Sequence, residues 1–124
     1  MSSSTIILTN QDELSYTGEK FKGDGYYGYS DGLHTVSFHV NNFIGRLNLE
    51  ATLVEDPTES DWFNIGLGTT TDYLDYSSQS TATKGVTFTG NFVWLRASVD
   101  RSHLTATSYV SLTHGRLEKV VLLI

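Results

Sequence analysis

The chain has 124 residues, a common size for one domain and enough to bury a hydrophobic core without a metal or a disulfide. It has no cysteine, which excludes a disulfide framework, a thiolate nucleophile and cysteine-based metal sites. Its 14 acidic and 8 basic residues give a formal net charge of -6, which argues against nucleic acid or an anionic membrane as the main partner, because both attract positive charge.

The N-terminal segment Met1–Leu8 carries no basic residue before its short apolar run. This run is shorter than a signal peptide or a membrane span requires. We therefore expect a protein that is not exported by the general secretory route and does not span a membrane. Asn10 and Glu13 have the spacing of a capping box, which predicts at most a turn or two of helix over Asn10–Leu14.

Period-two alternation predicts two strands in the first half of the chain. In His34–Val40 apolar residues alternate with polar ones, and the same pattern runs through Gly45–Leu53. Asn41 and Asn42 separate the two segments, and asparagine is favoured in tight turns. The sequence therefore predicts a hairpin with its turn at the two asparagines.

Further strands are predicted downstream. A short strand at Phe63–Leu67 follows a turn at Asp56–Glu59, whose proline presets the backbone. Gly68–Thr83 shows no period, which predicts a long loop or a ragged edge strand. Val86–Phe88 and Phe92–Val99 are predicted to form a second hairpin. Both sides of Phe92–Val99 are largely apolar, so we expect this strand to be covered on both faces.

Two last strands are predicted at Leu104–Leu112 and Gly115–Ile124. The chain ends in five apolar residues, Val120, Val121, Leu122, Leu123 and Ile124. An exposed end of this kind would aggregate, so it must pair inside the sheet or against a neighbouring subunit, and we predict an oligomer contact there. Together these elements predict one all-β domain over residues 1–124, an antiparallel β-sandwich or jelly roll of seven to nine strands.

Two stretches match motifs that carry chemistry in other proteins. Gly23–Gly28 has the G-x-G-x-x-G spacing of dinucleotide-binding proteins, and Gly28–Gly32 has the G-x-S-x-G spacing of a nucleophile elbow. Both motifs need a helix directly after them, whereas a strand is predicted here. The histidines do not have the spacing of metal ligands. We therefore predict a glycine-rich loop in a protein that is not an enzyme and has no cofactor.

Acidic side chains gather in two predicted loops. They are Asp56, Glu59 and Asp61 around the proline turn, and Asp72 and Asp75 further along. These carboxylates would hold calcium if they converged, but their spacing is not that of an EF-hand. Solvated loop carboxylates are the simpler interpretation in an acidic protein, so no metal is predicted.

Large aromatic side chains lie in segments that otherwise read as loops. They are Tyr26, Tyr27, Tyr29, Tyr73, Tyr76 and Trp62, the last of which follows Asp61. Such rings either cover the ends of a core or form a contact surface for a protein or a sugar. Covering the core is the simpler interpretation for any single ring. For the group we predict contact with a partner, because so many rings are hard to bury within one subunit.

Three blocks of the sequence resemble small β-rich virion-associated proteins of tailed bacteriophages, especially those of marine cyanobacteria. They are Gly23–Tyr29 with Asp31–Thr35, Pro57–Phe63, and Thr89–Ala97. The resemblance implies a structural component repeated on the head, neck, tail or fibre of a virion that is assembled in the host cytoplasm. It brings no catalytic residues to this chain. For such a subunit we expect a closed homo-oligomer, with trimers common in fibres and capsid decoration.

The sequence thus predicts a capsid decoration or tail-associated subunit that oligomerises and docks onto other virion proteins. The alternative is a carbohydrate-binding module that uses the tyrosine loops with Asp61 and Trp62 to bind a host glycan. An enzyme is the third hypothesis.

Overall fold

The computed structural model describes residues 4–11, 13–27, 32–67, 73–104 and 108–123, but not the side chains of Asn10, Gln11 and Ser111. Strands make up 61% of it, against about 20–25% in an ordinary globular domain. They form a single antiparallel sheet of eight strands that curls into a half-barrel. The predicted all-β, sandwich-like fold is therefore confirmed.

The strands are β1 (Ser4–Gln11), β2 (Tyr16–Thr17), β3 (Phe21–Lys22), β4 (Leu33–Thr52), β5 (Phe63–Asn64), β6 (Leu74–Thr89), β7 (Trp94–Asp100) and β8 (Arg116–Leu123). Two 3₁₀ turns lie at Asp24–Tyr27 and Glu59–Asp61, and one helical turn, α1, lies at Ser111–His114. The hydrogen-bonded order is β1-β8-β4-β7-β2, with β3 also on β7, and with β5 and β6 on the other side of β4.

Two short predicted elements differ from the structure. The helical turn predicted over Asn10–Leu14 is wrong, because β1 continues to Gln11 and the chain then bends. The strand predicted over Phe63–Leu67 shrinks to the two residues of β5. Ile65 and Leu67 are still buried, so the apolar alternation there reflects contact with the core rather than continued pairing.

β4 is the strand on which the sheet is built, and it has 20 residues. Its first half pairs with β6 on one side and with β8 on the other. From Arg46 to Thr52, its second half pairs with β7 instead of β8. A strand that changes partner in this way passes from one wall of a curled sheet to the other at a bend. β4 therefore contributes to both walls of the half-barrel.

The bend lies at residues 41–45 and is a β-bulge. The buried positions of β4 are even-numbered up to Val40 and odd-numbered from Phe43 to Ala51, while Asn41 and Asn42 are both exposed. Asn42 has a φ of 50°, and the register with β6 shifts here. Because side chains alternate with period two, one inserted residue keeps both halves facing the core. The predicted hairpin is wrong, since the asparagines bend one continuous strand.

Gly115 holds the bulge from outside the strand. Its φ is 69°, and a Cβ added to it would lie 1.9 Å from the carbonyl oxygen of Asn42. Only a residue without a side chain permits this approach of two backbones. The turn that precedes β8 therefore packs directly on the bend of β4.

Arg101 ties the bend to the rest of the chain. Its guanidinium is buried and donates to main-chain carbonyls from three separate segments, those of Glu13, Ile44, His114 and Gly115. The guanidinium carbon lies 4.6 Å from the centre of the Phe43 ring. Burial lowers the pKa of Arg101, yet a guanidinium stays charged at ordinary pH. One cation thus bonds a carbonyl of the bend, that of Ile44, and carbonyls of two other segments.

The polar composition of the edge strand β6 gives little apolar alternation from which a strand could be predicted. β6 pairs with β4 from Leu33 to Leu47, and most of its side chains are exposed. The loop predicted over Gly68–Thr83 is therefore wrong from Leu74 onward, where the alternative of an edge strand is correct; residues 68–72 lie outside the described ranges. The predicted hairpin between Val86–Phe88 and Phe92–Val99 is also wrong, because β6 and β7 lie on opposite sides of β4.

β7 is covered on both faces, as predicted. Leu95, Ala97 and Val99 face the core, while Arg96 and Ser98 on the opposite face are also buried. In the sheet this strand lies between β4 and the short strands β2 and β3. Polar side chains on the face of β7 opposite the core, such as Arg96, are therefore held in fixed positions.

The apolar C-terminal strand is satisfied inside the chain. β8 lies between β1 and β4, and Val120 and Leu122 are buried in the core. These two side chains are therefore not available for the oligomer contact predicted for them. Val121 is half-buried and Leu123 is exposed, while Ile124 lies outside the described residues.

The strand predicted over Leu104–Leu112 is wrong in its described part. Leu104 lies in a turn, residues 105–107 are not described, and α1 begins at Ser111. Leu112 is 90% exposed in this helical turn. The apolar residues of the segment therefore do not mark a position in the sheet.

The close packing at the bend predicts that a side chain at position 115 strongly lowers the stability of the fold. We expect Gly115→Ala to lower the free energy of unfolding by about 3 kcal/mol or more, because the methyl group would overlap the Asn42 carbonyl and the backbone would be strained. Urea unfolding measures this loss. Gly66→Ala is the matched control, since a Cβ there meets nothing within 4 Å. Equal losses in the two variants would show that the bulge does not need this contact.

Removal of the Arg101 guanidinium should also destabilise the fold. Arg101→Met keeps much of the apolar stem but leaves buried carbonyls without donors, and we expect a loss of about 3 to 5 kcal/mol. The exposed Arg116 provides the control, because Arg116→Met should change stability by less than about 0.5 kcal/mol. Thermal or urea unfolding of both variants gives the comparison, and a loss at Arg101 no larger than the loss at Arg116 would contradict the role of this cation.

Candidate functional site: a pocket of aromatic rings and lysines

The 3₁₀ turn Asp24–Tyr27 lies directly against the segment that leads into β7. The N–H of Gly23 donates to the carbonyl of Val93 at 2.9 Å, and that of Gly25 donates to Phe92 at 2.9 Å. A Cβ on Gly23 would lie 2.4 Å from the Phe92 carbonyl oxygen. Gly23 and Gly25 therefore serve close packing of two backbones. Gly28, the third glycine of the dinucleotide-like spacing, lies outside the described residues.

A buried polar network anchors this turn. The carboxylate of Asp24 accepts from the N–H of Gly32 at 2.7 Å. Nε2 of His34 accepts from the N–H of Asp24 at 3.2 Å, which leaves Nδ1 to donate to the Gly32 carbonyl at 3.1 Å. The His34 ring also stacks on Phe88 at 5.2 Å. Both ring nitrogens of His34 contact main chain, so this histidine has a structural role.

Rings and ammonium groups alternate on the outer side of the turn. The Tyr26 ring lies 5.0 Å from Trp94 and 5.5 Å from Tyr27, with edge-to-face geometry in the second pair. The Lys22 ammonium lies 4.6 Å from the Tyr26 ring, and that of Lys20 lies 4.7 Å from Trp94. Both distances are within the reach of a cation–π interaction. The structure thus joins two predicted contact residues to two lysines and a tryptophan.

A pocket of about 250 Å³ opens beside these rings, and we call it the ring-lysine pocket. Its lining residues are Thr5, Lys20, Phe21, Lys22, Tyr27, Trp94 and Leu122. Leu122 is buried and Phe21 is half-buried, whereas both lysines are exposed. Among these lining residues none is acidic, in a chain of net charge -6. The pocket therefore combines an apolar base with a cationic mouth.

β3 and the residue just before it place the two lysines at this pocket. In its antiparallel pairing with β7, Lys22 lies opposite Trp94 and Phe21 lies opposite Leu95. Alternation along the chain then directs Phe21 inward and leaves the flanking lysines outside. This Lys-Phe-Lys alternation was the only local signal for the lysines, and it is too short to predict a strand by itself.

A second concavity adjoins the pocket and shares Lys20 with it. Here Arg96 makes a bidentate ion pair with Glu59, at 2.9 and 3.2 Å, and bonds to Glu50 at 3.1 Å. The guanidinium carbon lies 4.1 Å from the centre of the Trp62 ring. Burial alone would lower the pKa of Arg96, but the two glutamates outweigh it and raise this pKa. The Trp62 ring therefore lies against the Arg96 guanidinium, whose position is fixed by its bonds to the two glutamates.

The other predicted contact residues lie apart from the pocket. The carboxylate of Asp61 accepts from the N–H of Thr58 at 2.7 Å as part of a capping box, so it holds its own turn. Tyr73 lies 4.5 Å from the Arg46 guanidinium, and Tyr76 packs edge-on against Phe43 at 5.6 Å. Burial raises the pKa of Tyr76. The predicted ring surface thus divides between the pocket and the bend of β4.

The other candidates from the sequence are Tyr29, the acidic side chains of the two predicted loops, and any cluster that could bind a metal ion. Tyr29 lies outside the described residues. Of the predicted loop carboxylates, Glu59 pairs with Arg96 and Asp61 caps its turn, while Asp72 is not described. Within the described ranges, no three His, Asp or Glu side chains gather in a way that could hold a metal ion.

No protein-family model matches this chain, and neither the curated proteins nor the solved structures contain a match to it. In the part of the chain that the structure describes, no helix has both the length and the apolar character needed to cross a membrane.

The ion pair between Arg96 and Glu59 predicts a contribution to stability that depends on pH. Hydrogen bonds and charge from Arg96 hold the pKa of Glu59 below that of an ordinary glutamate. A lowered pKa in the folded state adds stability above the unfolded-state pKa, and this stability is lost as pH falls through the folded-state pKa. We therefore expect NMR titration of the side-chain carboxyl carbons to show a higher pKa for Glu59 in Arg96→Gln than in the wild type. Arg96→Lys, which keeps the charge, should restore part of the depression, and an unchanged pKa in both variants would contradict the pairing.

Proposed function

We propose that this chain is a non-enzymatic structural subunit that docks onto another protein through an exposed aromatic end. This aromatic end consists of Tyr26, Tyr27, Leu53, Val54 and Phe63. Their exposed fractions are 44%, 48%, 62%, 41% and 43%, respectively. The presence of five large side chains left open to solvent at one end of the sheet is the observation that carries the proposal, because apolar patches on a protein surface mark interaction sites.

Hydrogen bonds to main-chain carbonyls join the parts of the aromatic end. The N–H of Val93 donates to the carbonyl of Thr52 at 3.0 Å, and the indole N–H of Trp94 donates to Glu55 at 2.9 Å. The segment after β4 therefore lies beside the residues that hold the 3₁₀ turn. Phe63 adjoins the same place, with its ring 5.9 Å from that of Phe92. Rings fixed on such a frame lose little conformational entropy when a partner covers them.

The location of the aromatic end supports a virion subunit in particular. The three blocks that resemble phage virion proteins come together here: the turn within Gly23–Tyr29 packs on Thr89–Ala97, and Pro57–Phe63 supplies the glutamate that pairs with Arg96. Residues that are far apart in sequence and share one resemblance thus build one surface. We therefore propose a capsid decoration or tail-associated subunit that contacts other virion proteins through this surface.

Localisation in particles tests this proposal. Mass spectrometry and immunogold microscopy of particles purified from infected cells that produce the chain should find it in the virion. A Tyr26→Ser/Tyr27→Ser variant should enter particles at about a tenth of the wild-type level or less, because exposed aromatic residues dominate contact energies. Leu112→Ser, at a 90% exposed position away from this end, should enter normally. Absence of the wild-type protein from the virion would refute the proposal.

A specific observation favours saccharide recognition as a second candidate function. The ring-lysine pocket offers Tyr27 and Trp94 to the apolar face of a sugar ring and has polar groups beside them. Trp62, another predicted contact residue, lies in the adjoining concavity. Saccharide binding is an alternative to docking through the aromatic end, because Tyr27 belongs to both surfaces.

A further inference from the structure

We infer that the ring-lysine pocket binds an acidic saccharide, with one carboxylated sugar unit seated between Lys20, Lys22, Tyr27 and Trp94. This inference deepens the saccharide-binding candidate and rests on it. It does not depend on the docking of the aromatic end onto another protein.

The charge of the pocket selects the class of ligand. Two of the 8 basic residues of the chain stand at this one opening, and none of the described residues that line it has a carboxylate. Of the other six basic residues, Arg96 pairs with Glu50 and Glu59, Arg46 lies 3.8 Å from Asp75, and Arg101 is buried. The remaining three, Lys84, Arg116 and Lys119, are exposed on β6 and β8 and do not line this pocket. Lys20 and Lys22 instead lie over rings, which attract the ammonium group without neutralising its charge. An anionic ligand would therefore complete the local charge balance.

The size and the chemistry of the walls favour a small ring. About 250 Å³ is below the range of about 300–1,000 Å³ that is usual for drug-sized ligands, so the pocket accommodates one small cyclic unit. Phe21, Leu122 and the two aromatic rings offer apolar contact to the C–H face of a sugar. Thr5 and the lysines at the opening can bond to hydroxyl and carboxylate oxygens. A neutral sugar would make the apolar contacts but would not use the charge of the lysines.

The site is held in place before any ligand arrives. Lys22 is fixed opposite Trp94 in the pairing of β3 with β7, and the segment before it is held by the bond from the Gly18 N–H to the Ala97 carbonyl at 2.9 Å. A ligand would need to order little more than the two lysine side chains, which limits the entropic cost of binding.

Tryptophan fluorescence tests the inference directly. The chain has two tryptophans, so a Trp62→Phe background leaves Trp94, in the pocket wall, as the reporter. We expect an oligogalacturonate hexamer to change this fluorescence saturably and to bind at least about tenfold more tightly than maltohexaose, its neutral counterpart. Binding should weaken as ionic strength rises, because the lysines are exposed and screened by salt.

Matched charge variants separate the pocket from general electrostatics. Lys20→Gln/Lys22→Gln should lower the affinity for oligogalacturonate by about tenfold. Lys84→Gln/Lys119→Gln, at exposed positions on β6 and β8, changes the net charge equally and should have no such effect. Equal loss in both double variants would overturn the inference.

The remaining outcomes distinguish this inference from the proposals around it. Equal affinity for the acidic and the neutral hexamer would overturn the acidic preference and leave the saccharide-binding candidate standing. Binding of neither hexamer would overturn both. The docking role would be untouched in either case, because incorporation into particles is measured separately.

Discussion

The bend in β4 is the constraint on which the rest of the structure depends. A straight strand of 20 residues would be about 65 Å long, whereas a globular chain of 124 residues has an expected radius of gyration of about 14 Å. The strand must therefore bend to remain within one domain. The extra residue at Asn42 makes the bend without turning either half away from the core, and the backbone of Gly115 packs against it. Arg101 supplies donors to the carbonyls around it.

The same bend determines where the candidate site lies. At the bend β7 replaces β8 as the neighbour of β4, and the seven residues of β7 then run from Trp94, beside the pocket, to Asp100, next to Arg101. One end of this strand is thus joined to the most buried cation of the chain, and the other end carries a wall of the pocket. β7 is covered on both faces and paired with β4 and β3, and the Tyr26 ring and Lys22 lie against its Trp94 end.

Local pattern predicted side-chain facing better than it predicted connectivity. The alternation in His34–Val40 and in Gly45–Ala51 assigned the buried apolar residues of both halves of β4 correctly, and the two-sided cover of Phe92–Val99 was also correct. The alternation was wrong for Leu53, which follows the end of β4 and is 62% exposed. The two asparagines between the halves were misread, because asparagine favours a left-handed backbone both in turns and in bulges. The full length of β6 was not predicted, because an edge strand with mostly exposed side chains keeps no apolar alternation over much of its length.

The sequence by itself determined the class of the fold, the faces of the main strands and the polar and aromatic character of the segment at residues 23–27. These properties follow from side-chain alternation and composition, which are local. Only the tertiary structure decided that Tyr26 and Tyr27 meet Trp94 and two lysines, whereas Tyr76 packs on the core and Asp61 caps its own turn. The C-terminal strand illustrates the same limit. Its apolar residues require cover, but whether that cover comes from the same chain depends on strand order, and strand order is set by contacts between residues far apart in sequence.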